Sequence, residues 1–332
     1  MGEFRFSVDR SSGLTKFQQL VNAVSDAVAG GTLKAGDALP SVNKVSEESG
    51  IARATVFKAY KELKKREVIQ STPAKGYYVA DVTANRVFLF FDTYSDFKQR
   101  LYEAFRSKLP ENYSLGLYFH HYNIEVFESL LLNSIGKYNT YLVMSFDNPK
   151  IPEVLSKINP DNLIMLDWDI NVEDKGYPAV VQNFDFQVEK ALEIGLDRIR
   201  KYDSFHLVYH DKSHPAATRS SFLKFCEEFG IKGSIIEKNE RIAVKKGQAY
   251  FTLREPELIE ILRQCREKGY ELGKDVGLVT YNDQPQLEFV DKGITVISTD
   301  FFRMGIEAAG QVLKRQKIRK LVPTTMILRN SL

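Results

Sequence analysis

The chemically distinctive groups in this 332-residue chain are its five histidines, its two cysteines and a few well-placed basic side chains. His206, His210 and His214 recur every four residues, a spacing that on a helix would gather imidazoles around one metal ion. The stretch 205–209 reads as a strand, however, and four residues of strand span roughly 13 Å, too far for one ion to bridge. His120 and His121 are adjacent and in an extended segment point to opposite faces. Asp211, Ser213 and His214 echo a hydrolase triad, yet no Gly-x-Ser-x-Gly elbow leads into a helix. No metal site, no catalytic residue and no cofactor is therefore expected, and the chain does not read as an enzyme. Cys226 keeps helical spacing with Phe222, Phe225 and Phe229, and Cys265 with Ile261 and Leu262, so both read as small core residues in a reducing compartment. Arg53 opens a basic helical stretch, where its guanidinium can bond O6 and N7 of one guanine together. Lys75 sits at the tip of a hairpin, from which it could enter or flank a minor groove.

The elements that must position Arg53 and Lys75 are legible in the first eighty residues. The stretch 14–29 places Phe17, Leu20, Val21, Val24, Ala27 and Val28 on one helical face, and Gly30-Gly31 stops it. After Leu39-Pro40, Ser41 is an N-cap for a short helix through Glu48, Gly50 supplies a turn, and a third helix runs from about Arg53 to Arg66 with Val56, Ala59, Tyr60 and Leu63 inward. A short helix, a tight glycine turn and a longer basic helix make a helix-turn-helix. Two strand-like pieces, 68–71 and 76–79, joined through Thr72-Pro73-Ala74-Lys75, follow as a wing. The charge agrees: residues 1–80 hold 12 Lys+Arg against 8 Asp+Glu, so the chain's formal +3 comes from a +4 head and a −1 remainder. Such an asymmetry is expected when one module faces phosphates and the other does not.

These residues resemble the GntR family of bacterial regulators. The resemblance is carried by Gly36-Asp37-Ala38-Leu39-Pro40-Ser41, by Ser46 through Val56, and by Lys75-Gly76-Tyr77-Tyr78-Val79, about 65 residues in order. It implies that Ser41 and Thr55 contact phosphates, that Arg53 reaches a base edge, that Lys75 and Gly76 work from the wing, and that Asn43 and Lys58 belong to the same DNA-facing set. Three positions depart from the family pattern: Asn43 and Phe57 stand where arginine is frequent, and Ala52 replaces a capping Ser or Thr.

Beyond a polar connector at 81–86, apolar strand-like runs alternate with amphipathic helical stretches to the end of the chain. The runs 86–91, 114–119, 141–145, 163–166, 179–181, 205–209, 249–252, 276–280 and 296–298 read as strands. Helical stretches fall between them, the longest at 186–201, and another closes the series at 304–315. Such alternation means parallel sheets covered by helices, and a break in the middle makes two lobes, whose ligands bind beyond the carboxyl ends of the strands. This half is similar to the effector domain of LacI/GalR regulators and periplasmic sugar-binding proteins, a two-lobed α/β fold of type I. The resemblance rests on Gly277-Leu278-Val279-Thr280-Tyr281-Asn282-Asp283, on Ile297-Ser298-Thr299-Asp300-Phe301 with Met304-Gly305, and on Thr218-Arg219-Ser220-Ser221-Phe222. Carried over position by position, it implies ligand contacts from Asp92, Tyr94 and Ser95, from Phe119, His120 and Tyr122, and from Arg219, Arg254 and Asn282. Arg254 stands where Asn is common and Asn282 where Asp is common.

The expected organisation is a winged-helix DNA-binding domain over 1–80, a linker over 81–86, and a sugar-sensing, dimerising effector domain over 87–332. An aminotransferase-like second domain would need a larger fold and a pyridoxal-binding lysine; a UTRA or all-helical effector fails on the strand–helix alternation. The start of the chain lacks a signal-peptide core, and no apolar run approaches the ~18 residues of a membrane span, so a cytoplasmic location is expected. The expected function is a homodimeric regulator, a repressor of carbohydrate-utilisation genes. It would read an inverted repeat in double-stranded DNA and answer to a monosaccharide such as L-arabinose or L-fucose. The alternative is a sugar-binding or sugar-processing protein with incidental DNA affinity.

Overall fold

The computed structural model describes residues 4–29, 31–80, 85–135, 137–168, 177–182, 184, 186–209, 215–237, 240–315 and 318–332. The head comprises α1 (Lys16–Ala29), α2 (Val42–Ser49), α3 (Arg53–Lys65) and the antiparallel pair β1 (Ile69–Thr72) and β2 (Gly76–Val79). It closes around a core of its own: Leu20, Val21 and Val24 of α1 meet Val45 of α2, Val56, Ala59, Tyr60 and Leu63 of α3, and Ile69 and Val79 of the wing. Ser41 caps α2, its Oγ accepting the Lys44 N–H at 3.2 Å. Gly50 ends the helix at φ 68°, a left-handed turn that costs glycine nothing. The segment before α2 pairs with the wing through Gly36 N–H to Val79 O and Leu39 N–H to Tyr77 O, at 3.0 and 2.8 Å.

The remainder forms two lobes. The first carries β3 (Asn85–Phe91), α4 (Asp96–Lys108), β4 (Tyr113–Phe119), α5 (Ile124–Ser134), β5 (Thr140–Met144), α6 (Ile151–Leu155), β6 (Leu163–Asp167) and β7 (Ala179–Val181). The second carries α7 (Gln187–Ile194), α8 (Leu196–Ile199), β8 (Ser204–Tyr209), α9 (Ala216–Glu228), β9 (Gly233–Glu237), β10 (Gln248–Thr252), α10 (Glu255–Lys268), β11 (Val276–Tyr281) and β12 (Thr295–Thr299). The chain then returns to the first lobe as α11 (Phe301–Lys314) and β13 (Arg319–Leu321), and crosses once more to end on β14 (Thr324–Ile327). Strand order is β13-β7-β6-β5-β3-β4 in the first lobe and β14-β12-β11-β10-β8-β9 in the second. All pairings are parallel except that of β12 with β14. Strands such as β3, with Val87, Phe88, Leu89, Phe90 and Phe91 all buried, are covered on both faces, which is why they read as unbroken apolar runs rather than alternating ones.

The chain thus passes between lobes three times, after β7, after β12 and between β13 and β14. α11 follows a strand of the second lobe yet packs on the first, with Phe301, Met304 and Ala308 against Leu101 and Phe105 of α4. The contact is close enough that a Cβ added at Gly305 would lie 2.3 Å from the Leu101 carbonyl oxygen. Among the described residues, no helix is long and apolar enough to cross a membrane.

Some sequence expectations are corrected. The helix expected over 186–201 breaks at Gly195, where any Cβ would strike Met326 Sδ at 2.5 Å. β9, β13 and β14 were not foreseen; they are edge strands or short polar pieces with little apolar signal. Asn85, assigned to the connector, belongs to β3, which Arg86 was expected to open; connector residues 81–84 lie outside the described residues. Gly30 lies outside them as well.

Candidate functional site

Two candidate sites stand apart, one on the head and one where the two lobes meet. On the head, α3 begins at Arg53 directly after Ala52, which supplies no side-chain cap. Ser41, Asn43, Arg53, Lys58, Lys75 and Gly76 are exposed and Thr55 is half-buried. Lys75 sits in the turn of the wing, its N–H bonded to Thr72 Oγ1 at 3.2 Å and its ammonium 5.3 Å from the centre of the Tyr78 ring. Gly76 takes φ 68° to close that turn. Tyr60, buried behind α3, bonds Pro40 O at 2.9 Å and ties the recognition helix to the start of α2. The sequence reading left Phe57 out of the DNA-facing set. It lies one helical turn after Arg53 and is 54% exposed, an apolar ring held in solvent on the same helix face as the exposed Arg53 guanidinium. Its signal was the departure from the family pattern at that position.

The second site lies where the parallel strands of the two lobes end. In the first lobe Asp92, just past β3, is buried and ion-paired with Lys98 of α4, and Tyr122 OH donates to Asp92 Oδ2 at 2.8 Å. Burial holds the Lys98 ammonium down to about 8, with Asp167 opposing that shift, and burial lifts the Tyr122 phenol to about 12. Burial likewise raises the carboxyl of Asp167, at the end of β6, while Lys98 and Gln182 pull it back. Gln182 Nε2 donates to Asp167 Oδ1 at 2.5 Å, and Gln182 Oε1 accepts from Tyr281 OH and Thr299 Oγ1, both at 2.7 Å. Thr299 Oγ1 and Thr324 Oγ1 are 2.6 Å apart. Gln182, Thr299 and Thr324 lie one each at the three crossings, so one buried hydrogen-bond network laces the whole hinge.

The ligand residues inferred from resemblance fall at or beside these same strand ends, and all but one lie outside the fully buried aromatic core. Tyr94 is 64% exposed beside Gln99, and Phe119 packs edge-on to it at 6.5 Å between ring centres. Arg219, on α9, pairs with Glu237 at 2.8 Å and lies over the Tyr209 ring. Arg254 sits at the N-cap of α10, 3.8 Å from Glu257. Asn282 takes φ 66° after β11. Ser95 Oγ and Asn282 Oδ1, one from each lobe, are buried with no hydrogen-bond partner among the described residues. The exception is His120. It is fully buried among Phe90, Phe127 and Phe146, its Nδ1 accepts the Tyr122 N–H at 3.2 Å, and its Nε2 meets Met144 O at 3.1 Å. Both nitrogens are used internally, burial drives its pKa to about 4, and it packs the lobe rather than offering a face to a ligand.

The sequence reading missed Lys98, Asp167, Gln182, Tyr281, Thr299 and the half-buried Trp168, the chain's single tryptophan. Lys98 carried a usable signal: it shares the buried face of α4 with Leu101 and Phe105, where an unpaired lysine would be costly. His206 sits in β8 between Ser204 Oγ and Ser234 Oγ at 2.8 and 2.7 Å. His210, Asp211, Ser213 and His214 lie outside the described residues, and among those described no metal-binding group of side chains occurs.

Comparison with known proteins matches two separate parts of the chain. Residues 16–79 match the family described as bacterial regulatory proteins, gntR family, and residues 199–332 match the periplasmic binding protein-like domain. The mannosyl-D-glycerate transport/metabolism system repressor MngR of Escherichia coli K12 is 32% identical over 69 residues, 21% of this chain and 29% of that protein. The HTH-type transcriptional regulator YjiR of the same organism is 34% identical over 67 residues, 20% of this chain and 14% of its own length. These matches span less than a third of either relative. Among solved structures, a LacI family regulator from Lactobacillus casei with bound glucose superposes with TM-score 0.61 at 15% identity over 74% of this chain and all of that one. The lac repressor dimer bound to operator and the anti-inducer ONPF gives TM-score 0.59 at 12% identity, over 75% of this chain and 94% of the other. A gntR-family winged-helix domain is therefore joined here to a two-lobed periplasmic-binding-protein-like domain of the lac repressor fold.

Proposed function

We propose that the chain is a homodimeric transcriptional regulator, a repressor of carbohydrate-utilisation genes that a monosaccharide, L-arabinose or L-fucose among the candidates, releases from or retunes on its operator. The supporting observation is the pairing of an exposed cationic reading surface with a hinge whose three crossings share one hydrogen-bond network. Arg53 enters the major groove from the start of α3, Ser41, Asn43, Thr55 and Lys58 position the helix on the backbone, and Lys75 with Gly76 works from the wing. Phe57 suits apolar contact with a thymine methyl group.

Sugar hydroxyls are met in the cleft by Asp92, Lys98 and Tyr122 on one side and by Arg219, Arg254 and Asn282 on the other, with Tyr94, Phe119 and Trp168 as apolar faces. The unmatched Ser95 Oγ and Asn282 Oδ1 support this assignment, since a buried polar atom without a partner costs about 1–3 kcal/mol that a hydroxylated ligand would recover. A sugar shifts the lobes only by binding one arrangement better than the other, and a change from 1:99 to 99:1 needs about 10⁴-fold preference.

The dimer is supported by the lac repressor likeness and by Ile259 and Phe289, 53% and 80% exposed, which project from segments sharing the core of Leu258, Ile261 and Leu287. Each head then reads one half of an inverted repeat. Gel shifts of promoter fragments with and without monosaccharides, paired with thermal shifts of the same sugars, test the reading. No sequence-selective shift, or a shift that no stabilising sugar alters, would reject it.

A further inference from the structure

The head touches the first lobe through a built surface. The turn at Pro160–Asn162, just before β6, and its cap residue Asn159 present two amide side chains to α1: Asn162 Nδ2 donates to Asp26 Oδ1 at 3.1 Å, and Asn159 bonds the same carboxylate. Burial pushes the Asp26 carboxyl above its usual range, Asp161 adds to that, and the two amides oppose it. Past the end of α3, Glu67 pairs with Arg86 of β3 at 2.6 Å, and Arg86 N–H is fixed by Asn139 Oδ1 at 2.7 Å. A second line of approach is apolar, where Phe17 and Val21 of α1 face Leu132 and Ile135 across a cavity of about 300 Å³.

The seat has a connection to the hinge. A cavity of about 250 Å³ beside Asp26 is also lined by Gln311 and Arg315, at the far end of α11. Gln311 is 2% exposed, and its Nε2 donates to Ala179 O and Ile318 O, both at 3.1 Å. Its Oε1 faces no hydrogen-bond partner among the described residues. The other end of α11 is capped by Asp300, the residue after Thr299 of the hinge network. One helix of 14 residues, about 21 Å at 1.5 Å per residue, therefore runs from the crossings to the head. Arg53 lies at the opposite end of α3 from the Glu67 contact, about 20 Å away, so a seated head keeps its reading face open.

We propose that the winged helix rides on the first lobe, held by the Asn159–Asn162 seat on Asp26 and by the Glu67–Arg86 pair, and that α11 passes movement at the hinge to that seat. The contacts are two polar pairs and one apolar approach across a cavity rather than a continuous core, which makes the docking reversible rather than permanent. Where the movement comes from a sugar, the inference rests on the function proposed above; the docking itself does not.

The test uses the full chain carrying Asp26→Cys with Asn162→Cys, or Glu67→Cys with Arg86→Cys, bridged by a short bis-maleimide; the native Cys226 and Cys265 are buried. Operator binding before bridging confirms that each variant is folded. Both pairs are expected to bridge within the chain far faster than a control pair of Lys75→Cys with Asn162→Cys, and the bridged proteins should bind operator within threefold of the unbridged ones. Bridging no faster than the control, or a loss of operator affinity beyond tenfold on bridging, would overturn the docking. Asn162→Leu is then expected to keep operator binding and sugar-induced stabilisation while losing at least tenfold of the sugar's effect on the operator. Full retention of that effect overturns the relay through α11. A wild-type chain whose operator binding no sugar changes would count against the regulatory reading, and the cross-linking result would still decide the docking.

Discussion

Replacing Arg53 by alanine is expected to lower specific operator affinity by about 10- to 100-fold, the 1–3 kcal/mol of a bidentate guanine contact, with sugar-induced stabilisation unchanged. Lys75→Ala should instead weaken binding evenly across sequences and reduce the slope of log affinity against log salt by about 1, because a phosphate contact carries no base information. A gel-shift titration over several salt concentrations separates the two. His120 makes a different prediction. Its folded pKa of about 4 lies below the ordinary 6.5, with burial the main cause and Lys98 and His121 adding to it. The unfolded chain then binds the extra proton, so stability present above 6.5 is lost as the pH falls toward 4, by roughly 3 kcal/mol over the window. Thermal melts of His120→Phe should show a flatter decline between about pH 7 and pH 5 than the wild type, and equal slopes would assign the acid sensitivity elsewhere. The contrast with Arg53 shows what residue-level reading can reach. The exposed placement of Arg53 at the start of α3 was visible in the sequence. His120 follows β4 just as a ligand-contacting residue would, and only its aromatic surroundings from β3, α5 and the loop after β5 place it in the core.

Among the elements, α11 offers a paired measurement. Gly305→Ala would set a methyl group 2.3 Å from Leu101 O and 2.9 Å from both Ala104 Cβ and Phe105 N, so α4 and α11 must part. A loss of about 1–3 kcal/mol is expected, the usual cost of overpacking. Gly310→Ala on the same helix meets nothing within 4 Å and should gain roughly 0.5–1 kcal/mol from helix propensity alone. Calorimetry on both variants checks the sign of each change. The strands central to both sheets and most helices were readable because their apolar runs and periods are strong. β9, β13 and β14 were not, since Gly-Ser-Ile-Ile-Glu, Arg-Lys-Leu and Thr-Thr-Met-Ile carry no decisive pattern and owe their strand conformation to the neighbours they pair with.

For the whole molecule, the hinge network makes the lobes interdependent. A sugar at 100 times its Kd should stabilise the chain by about 2.7 kcal/mol. Gln182→Leu, which removes the shared acceptor of Tyr281 and Thr299, should leave the sugar bound more weakly and its effect on DNA reduced, as read by calorimetric titration and gel shift. Phe289→Asp is expected to shift the proposed dimer toward monomer in sedimentation experiments, since a carboxylate would replace an apolar side chain that is 80% exposed in the single chain. Two lobes were inferable from the break in the strand series. The crossing network was not, because its members lie far apart in sequence (Asp167, Gln182, Tyr281, Thr299, Thr324) and only the fold brings them together.

The late crossings also set an order of events during synthesis. The head closes on residues 4–79 alone, whereas the first lobe waits for α11 and β13, and the second for β14 and for Ser331, whose Oγ donates to Leu278 O at 2.6 Å and accepts the Thr295 N–H at 2.7 Å. A ribosome therefore delivers a finished reading head some 240 residues before either lobe can be completed. On the function proposed above, a message cut short after the head would yield a DNA binder with no sensor attached, so surveillance of unfinished chains would bear on how faithfully its target genes stay under control.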